Sequence, residues 1–491
     1  MTDSQLVIGI DIGTTGVKSV LVDVGRGIIA QSSRANALTS THAGWAEADP
    51  GMWLSNVLET LAELATVAGG RSVTAIATTG MVPAVVCLDV AGNPLRNAIL
   101  QNDARAGAEV DRIAGATTGS NLLDATGSVP SQQSVAPKAM WLAQHEPDTW
   151  AKTRWVVGSY DWILAALGAQ IHVESNWALE SGLFDFDGHP FPAVNDQVRG
   201  LAERLPPVID PGQLVGELDP RVADRVGLAR GIPLVTGGAD HVLSAYCAGL
   251  VAPGDWLVKL GGAGDILAVA DAPIVDERFF LDRHPVSGLW LPNGCMATSG
   301  SLVRWVQKLL SIADLSAMDA EATDRRAAEV LCLPYFLGEK SPRNDPDLRG
   351  VFAGMHLGHD AVDLYRSALE GIAFGFRHNA DVMRGRGIAM DQATVTNGGA
   401  TSLLWKQIHA SVLGVPLRTV RNHPGASLGA AFAAGRGTAA FADWHAPLEL
   451  IEEGETIDPV AELINRYDEA FGLWTSLGDL TAPTMHALAR R

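Results

Sequence analysis

The first segment, residues 6–23, is two β-branched runs separated by a Gly/Thr turn at Gly13, Thr14 and Thr15, the pattern of a β-hairpin. A third short run, residues 27–32, extends it into a meander. Next, Asp49 and Pro50 precede apolar residues at Trp53, Val57, Leu58 and Leu61, a spacing that predicts a helix capped by Asp49 with Pro50 in its first turn. Apolar runs at 73–78 and 155–157 read as strands and alternate with helical segments, so the chain reads as α/β.

The same unit recurs late. Residues 256–270 are again two apolar runs about a glycine turn, Gly261, Gly262, Ala263 and Gly264. Two such hairpins a domain length apart suggest a duplicated architecture, although glycine-turn hairpins are common and spacing alone leaves coincidence equally open. Pro253 and Gly254 punctuate the chain between 249 and 255, which places domains at 1–250 and 251–491. Helices are predicted at 242–250, 301–310, 360–384 and 403–413. Residues 424–441 are dominated by Ala and Gly, suited to close packing against a sheet or a nucleotide, and the acidic stretch from about 442 reads as a peripheral helical tail.

A chain of 491 residues exceeds the size at which one core keeps growing, which supports two lobes with a cleft. The composition, 47% hydrophobic and 19% charged, is globular. A formal net charge of -19 disfavours partners such as nucleic acid or an anionic membrane surface and turns attention to small molecules. A phosphate ligand stays compatible, because backbone N–H groups and a metal ion can hold it locally. Cys87, Cys247, Cys295 and Cys332 are too scattered for a disulfide framework and read as reduced thiols. With no leader-like run at the N-terminus and no membrane-length apolar stretch, a cytoplasmic location is expected.

Two constellations carry chemistry. Asp11, Gly13, Thr14 and Thr15 lie at a hairpin turn where glycine lets the backbone approach a ligand and hydroxyls add donors, a phosphate cradle with a carboxylate suited to hydrated Mg2+. An ordinary strand turn is the competing reading. The second, Val235-Thr236-Gly237-Gly238-Ala239-Asp240-His241, runs a strand into glycines and then a carboxylate. Asp240 there can accept a proton from a nucleophilic hydroxyl in phosphoryl transfer, or can simply cap a helix.

Together these pieces resemble the FGGY carbohydrate kinases, most closely their xylulokinase-like branch, over about residues 6–440. The signature resembles Gly350-Val351-Phe352-Ala353-Gly354-Met355 followed by residues 363–370, and further matches are residues 44–50 with Trp53, Lys138 with Trp141 and Leu142, residues 181–185 and residues 333–342. The resemblance implies two actin-like, ribonuclease H-like domains around a nucleotide-binding cleft. ATP and Mg2+ are the implied cofactors, and a small sugar or polyol is the implied partner. By the same resemblance Asp240 is the catalytic base and Asp11 the acidic residue near the metal, holding it through water. Gly13, Thr14 and Thr15 form the first phosphate loop, Gly261 and Gly262 the second, and Gly398, Gly399 and Ala400 after Asn397 lie against the nucleoside, with Gln407 in the next helix. The sugar is expected among Met81, Val82, Asn102, Asp103, Arg105 and His241.

Three substrate-facing positions depart from the branch: Val82 replaces a histidine, Gln101 stands where many relatives carry tryptophan, and His241 replaces Asn or Gln. The second phosphate loop also lacks the usual threonine. Changing buried hydrogen-bonding groups alters discrimination among hydroxylated substrates. A ketopentose such as xylulose or ribulose therefore stands beside erythritol- or glycerol-type polyols, and beside a non-sugar actin-like regulator. His241 has three readings: a sugar ligand, a support for Asp240, or a structural histidine. A homodimer is left open. His356 and His359 read as solvated loop residues rather than metal ligands.

Overall fold

The computed structural model describes residues 5–490. Its contacts divide the chain into two units. The first comprises residues up to Gly249 with Val275–Leu289 and Asn422–Ile451, and the second comprises Leu250–Ile274, Trp290–Arg421 and the segment from Glu452 onward. The first change of unit falls where Pro253 and Gly254 punctuate the sequence. The later exchanges carry no such marker, and the half after residue 250 is therefore not contained in one unit.

The central sheet of the first unit contains β1 (Leu6–Ile12), β2 (Gly16–Asp23), β3 (Gly27–Ala35), β4 (Val73–Gly80), β5 (Leu214–Glu217) and β6 (Pro233–Ala239), in the order β5-β6-β4-β1-β2-β3. β1 to β3 form the antiparallel meander, β4 and β6 add in parallel, and β5 closes the edge antiparallel. Helix α1 (Pro50–Ala68) starts as its sequence predicts, with the Asp49 carboxylate accepting from the Gly51 N–H at 2.8 Å.

The second unit repeats this order with β7 (Gly254–Leu260), β8 (Gly264–Ala268), β9 (Trp290–Met296), β10 (Met390–Thr396), β11 (Leu417–Arg421) and β12 (Glu452–Ile457), arranged β9-β8-β7-β10-β11-β12. Again three strands form a meander, two are added in parallel and the edge is antiparallel. Both hairpins turn through three residues: Ile12 and Gly16 flank Gly13, Thr14 and Thr15, while Leu260 and Gly264 flank Gly261, Gly262 and Ala263. The suggested duplication is thus present in pairing pattern and turn length, over sequences with little in common.

The predicted small-residue segment forms a helix, Ala426–Gly437, with ten of its twelve residues buried. It packs on β1, β4 and β6 of the first unit. The segment after 442 differs from expectation. It supplies the edge strand β12 and then a helix, Ala461–Ala489, in which Tyr467 and Trp474 are completely buried. Trp474 donates its indole N–H to the Cys332 carbonyl at 2.8 Å, and the Tyr467 hydroxyl donates to Glu370 at 2.9 Å. The acidic residues Glu449, Glu452, Glu453, Glu455 and Asp458 at its start mask the buried stripe that makes the segment part of the core. Among the described residues, no helix is long and apolar enough to cross a membrane.

Candidate active site

The Gly237–Gly238 pair disrupts the register between β6 and β4. A β-carbon on Gly237 would lie 1.8 Å from the Thr78 carbonyl oxygen, so only glycine permits this bulge. Thr79 fastens its far side by donating to the Gly238 carbonyl at 2.6 Å. Bulges re-aim the residues that follow them, and here the chain leaves the strand directly into the helix Asp240–Tyr246. This helix starts two residues before the predicted 242–250 and ends at Tyr246. Asp240 is its first residue and not its cap; Ala239 holds the cap position, without a side-chain bond. The capping alternative is thereby removed, and the Asp240 side chain stays about a third exposed, at 35%.

His241 is enclosed by carboxylates. Its Nε2 lies 2.9 Å from Oδ2 of Asp282 and 3.4 Å from Oε1 of Glu180, and its Nδ1 lies 3.4 Å from Oδ1 of Asp240. Burial works against charging the ring, but the negative charges of Asp282, Asp240 and Glu180 outweigh it and hold the His241 pKa well above the usual histidine value. Burial, reinforced by Asp282, pushes the Glu180 carboxyl well above its usual range. Asp282 comes from the short strand Phe280–Arg283 and Glu180 from the helix Ser175–Ser181. Sequence reading found neither. Asp282 is 41 positions from its partner and sits in no motif, and Glu180 only borders a matched one.

The Gly13–Thr15 turn is closed by the Gly13 N–H donating to the Gly16 carbonyl at 3.0 Å and is braced by Asn36, whose Nδ2 donates to the Gly13 carbonyl at 2.8 Å. Thr14 is half-buried and its hydroxyl points at the Met81 sulfur 3.8 Å away, while Thr15 is exposed. Asp11, paired across the hairpin with Lys18, presents Oδ1 4.0 Å from where a Gly13 β-carbon would be. A carboxylate oxygen beside a phosphate-sized turn suits a hard, oxygen-preferring cation.

On the sugar side, Met81 and Val82 are buried. Asp103 is fully buried and saturated. Oδ1 accepts from the Arg105 N–H and Nε at 3.0 and 2.8 Å, and Oδ2 accepts from the Ala46 N–H and Arg105 Nη2 at 2.6 and 2.7 Å. Burial opposes this charge, but Arg105 and the Ala46 N–H hold the carboxyl below its usual range. Arg105 also meets Glu47 at 2.7 Å and stacks over Trp45 at 3.7 Å, leaving Nη1 with no hydrogen-bond partner among the described residues. Asn102 is exposed beside it. Asp103 therefore has no lone pair to spare for a sugar, whereas Asn102 is exposed and Arg105 Nη1 keeps an unused N–H donor. Lys138, from the matched 138–142 motif, is completely buried and donates to the Leu100, Gln101 and Gln133 carbonyls at 2.9, 3.3 and 3.2 Å, pinning the approach to residues 102–105.

In the second unit the Gly261–Gly262–Ala263 turn is tied to the following helix. The Ser299 N–H and Ser301 hydroxyl donate to the Gly262 carbonyl at 2.9 and 2.8 Å, and the Gly300 N–H donates to Gly261 at 2.8 Å. Asn397 adopts a φ of 73°, and the turn Gly398–Thr401 brings Gly399 so close to Trp405 that a β-carbon would lie 2.3 Å from its ring. Asn397 Nδ2 is 3.6 Å from the β-carbon position of Gly261, so the Gly261–Ala263 turn and the Asn397–Ala400 segment are neighbours. His356 and His359 stack at 3.8 Å; His356 is exposed as expected, whereas the His359 side chain is only 4% exposed and is packed rather than solvated.

A carboxylate delivered by a glycine bulge, one hydroxyl-bearing glycine turn and a duplicated meander define an α/β phosphotransferase. Residues 6–247 match the N-terminal domain and residues 262–438 the C-terminal domain of the FGGY family of carbohydrate kinases. The chain belongs to that family and is an ATP-using sugar kinase with two actin-like domains. It is 28% identical over 484 residues to a xylulose kinase of Bacillus subtilis, covering 96% of each chain. A xylulose kinase of Escherichia coli is 28% identical over 417 residues, covering 84% of this chain and 86% of that one. The crystal structure of a xylulose kinase from Rhodospirillum rubrum superposes with a TM-score of 0.88 at 38% identity, covering 98% of this chain and all of that one.

Proposed function

We propose that the protein phosphorylates a ketopentose, with xylulose the first candidate, and that Asp240 is the general base. The observation that carries this reading is the Gly237–Gly238 bulge, which ends a buried strand on a partly exposed carboxylate with no capping duty. The xylulose kinase relatives supply the sugar class. Asp240 accepts the hydroxyl proton as the sugar oxygen bonds to the γ-phosphorus, and the bond from that phosphorus to the bridging oxygen breaks, releasing ADP. Thr15 and the N–H groups around Gly13 orient phosphate in the first unit. In the second, Gly261, Gly262, Gly398, Gly399 and Ala400 are the residues assigned to nucleotide contact. Asp11 would hold Mg2+ through water, and the ion's chemistry is to offset phosphate charge. On the sugar side, Asn102 and Arg105 donate to hydroxyls and Met81 and Val82 form an apolar wall.

Val82 favours a second reading within the same activity. A 7% exposed apolar side chain takes the place of a hydrogen-bonding histidine, which suits a substrate with one hydroxyl fewer or differently placed, such as a tetritol. The family assignment sets aside the non-catalytic regulator. The deciding experiment is ADP release measured across ketopentoses, hexuloses, tetritols and glycerol, with Asp240→Ala as the control. Xylulose or ribulose should give the highest kcat/KM, and Asp240→Ala should lower kcat by about 10²- to 10⁴-fold. A folded Asp240→Ala protein at near-full rate would remove the base assignment.

A further inference from the structure

His241 lies between two kinds of carboxylate. One, Asp240, is partly open, and the others, Asp282 and Glu180, are at most 11% exposed. We infer that His241 is a positioning residue that clamps Asp240 to the buried Asp282–Glu180 pair, and that it does not bind the sugar. This inference rests on Asp240 being the base.

A neutral imidazole has one N–H, whereas both nitrogens here face carboxylate oxygens, at 2.9 and 3.4 Å on one side and 3.4 Å on the other. Only the imidazolium donates in both directions. The groups facing the ring come from three elements: Asp240 from its own helix, Glu180 from Ser175–Ser181 and Asp282 from Phe280–Arg283. Asp282 is the ring's hydrogen-bonded partner at 2.9 Å, with Glu180 farther off at 3.4 Å and its carboxyl pushed up by burial. Neither nitrogen then remains for a sugar hydroxyl.

The purpose is geometric. A partly exposed carboxylate on the first residue of a helix has more than one staggered rotamer open to it, and a base must sit within hydrogen-bond reach of the proton it takes. Anchoring one Asp240 oxygen through a rigid ring to a fully buried aspartate fixes the rotamer and leaves the second oxygen for the nucleophile. The strand bearing Asp282 is itself held, because the Arg283 N–H donates to Asn176 Oδ1 at 2.6 Å and Asn176 Nδ2 donates back to the Arg283 carbonyl at 3.0 Å.

The test uses the full-length protein, ATP and the best sugar found in the ADP-release survey. His241→Gln and Asp282→Asn are each expected to lower kcat by about 10- to 100-fold, with the sugar KM within about threefold of wild type. Their double variant should be little worse than either alone, since both remove one unit. Wild type should lose rate on the alkaline side as the ring deprotonates, and His241→Gln should lack that limb. Histidine 15N spectra of wild type, assigned by the signal missing from His241→Gln, should show both ring nitrogens protonated at about pH 8, above the usual histidine pKa; this readout needs no variant of Asp282. A neutral His241 at that pH, a sugar KM rising with kcat unchanged, additive losses, or stoichiometric Zn2+ binding that His241→Gln abolishes would each overturn the clamp. Asp240→Asn separates the two claims. A fully active Asp240→Asn fails the base assignment, whereas an inactive Asp240→Asn beside wild-type-like His241→Gln and Asp282→Asn fails the clamp alone.

Discussion

The carbonyl oxygen of Ser427 lies 2.0 Å from the point a β-carbon on Gly9 would occupy, and the Ala431 nitrogen lies 2.3 Å from it. Helix Ala426–Gly437 therefore rests directly on the backbone of β1, the strand that carries Asp11 and leads into the Gly13–Thr15 turn. Gly9→Ala must push the helix or the strand away, and overpacking of this kind costs about 1–3 kcal/mol or more. Urea unfolding should show a lowered midpoint of at least this size. ATP KM should rise in the same variant, because displacement of β1 moves the Gly13 turn.

Asp103 and Arg105 are a buried bidentate pair. Asp103→Asn leaves the Arg105 guanidinium with an unmatched donor arm and gives the Ala46 N–H a poorer acceptor. Breaking one partner of a buried pair costs about 3–5 kcal/mol. Denaturation should report a loss in that range, moderated by the charge Glu47 still offers. Asn102→Ala, at an exposed side chain, should leave stability within about 0.5 kcal/mol and raise the sugar KM. A large stability loss with unchanged KM would remove Asn102 from the sugar side.

His409 is fully buried in the helix Leu403–Leu413 that follows the nucleoside motif, with Nδ1 2.9 Å from the Trp405 carbonyl. Burial lowers its pKa from 6.5 to about 4, the backbone bond opposing this only in part. The folded state therefore binds fewer protons than the unfolded state between these values. Its stabilising contribution is fully present above about pH 6.5 and is lost as pH falls towards about 4, by at most about 3 kcal/mol. Thermal melts across this range should fall less steeply for His409→Gln than for wild type.

The two hairpin turns differ in donors, two threonine hydroxyls in the first and none in the second. If the second turn also holds phosphate, Ala263→Thr adds one hydroxyl donor, worth about 1 kcal/mol. ATP KM should then fall about fivefold with the sugar KM unchanged. No change would mean that backbone N–H groups alone serve that turn.

Much of the local structure was legible. The meander, the Asp49-capped helix, the repeated hairpin and the helix Leu403–Leu413 follow from period, caps and glycine turns within a few residues of chain. The strand Glu452–Ile457 did not, because an edge strand with mostly exposed, charged residues lacks the alternation that marks a half-buried one. Glu180 and Asp282 were illegible for another reason: their chemistry depends on being brought beside His241 across long sequence separations, which no local pattern encodes.

By itself the sequence determined the α/β class, the duplicated hairpins, the glycines where backbones must touch, and the carboxylates at Asp11 and Asp240, since each follows from steric or periodic demands within a short window. Tertiary structure alone decided that Asp240 is not a cap, that Asp103 is saturated by its neighbours, and that residues 275–289 and 422–451 join the first unit. It also decided that His241 faces three carboxylates. The physical reason is that burial and hydrogen-bond saturation are properties of what surrounds a side chain, and those surroundings come from segments tens to hundreds of residues away.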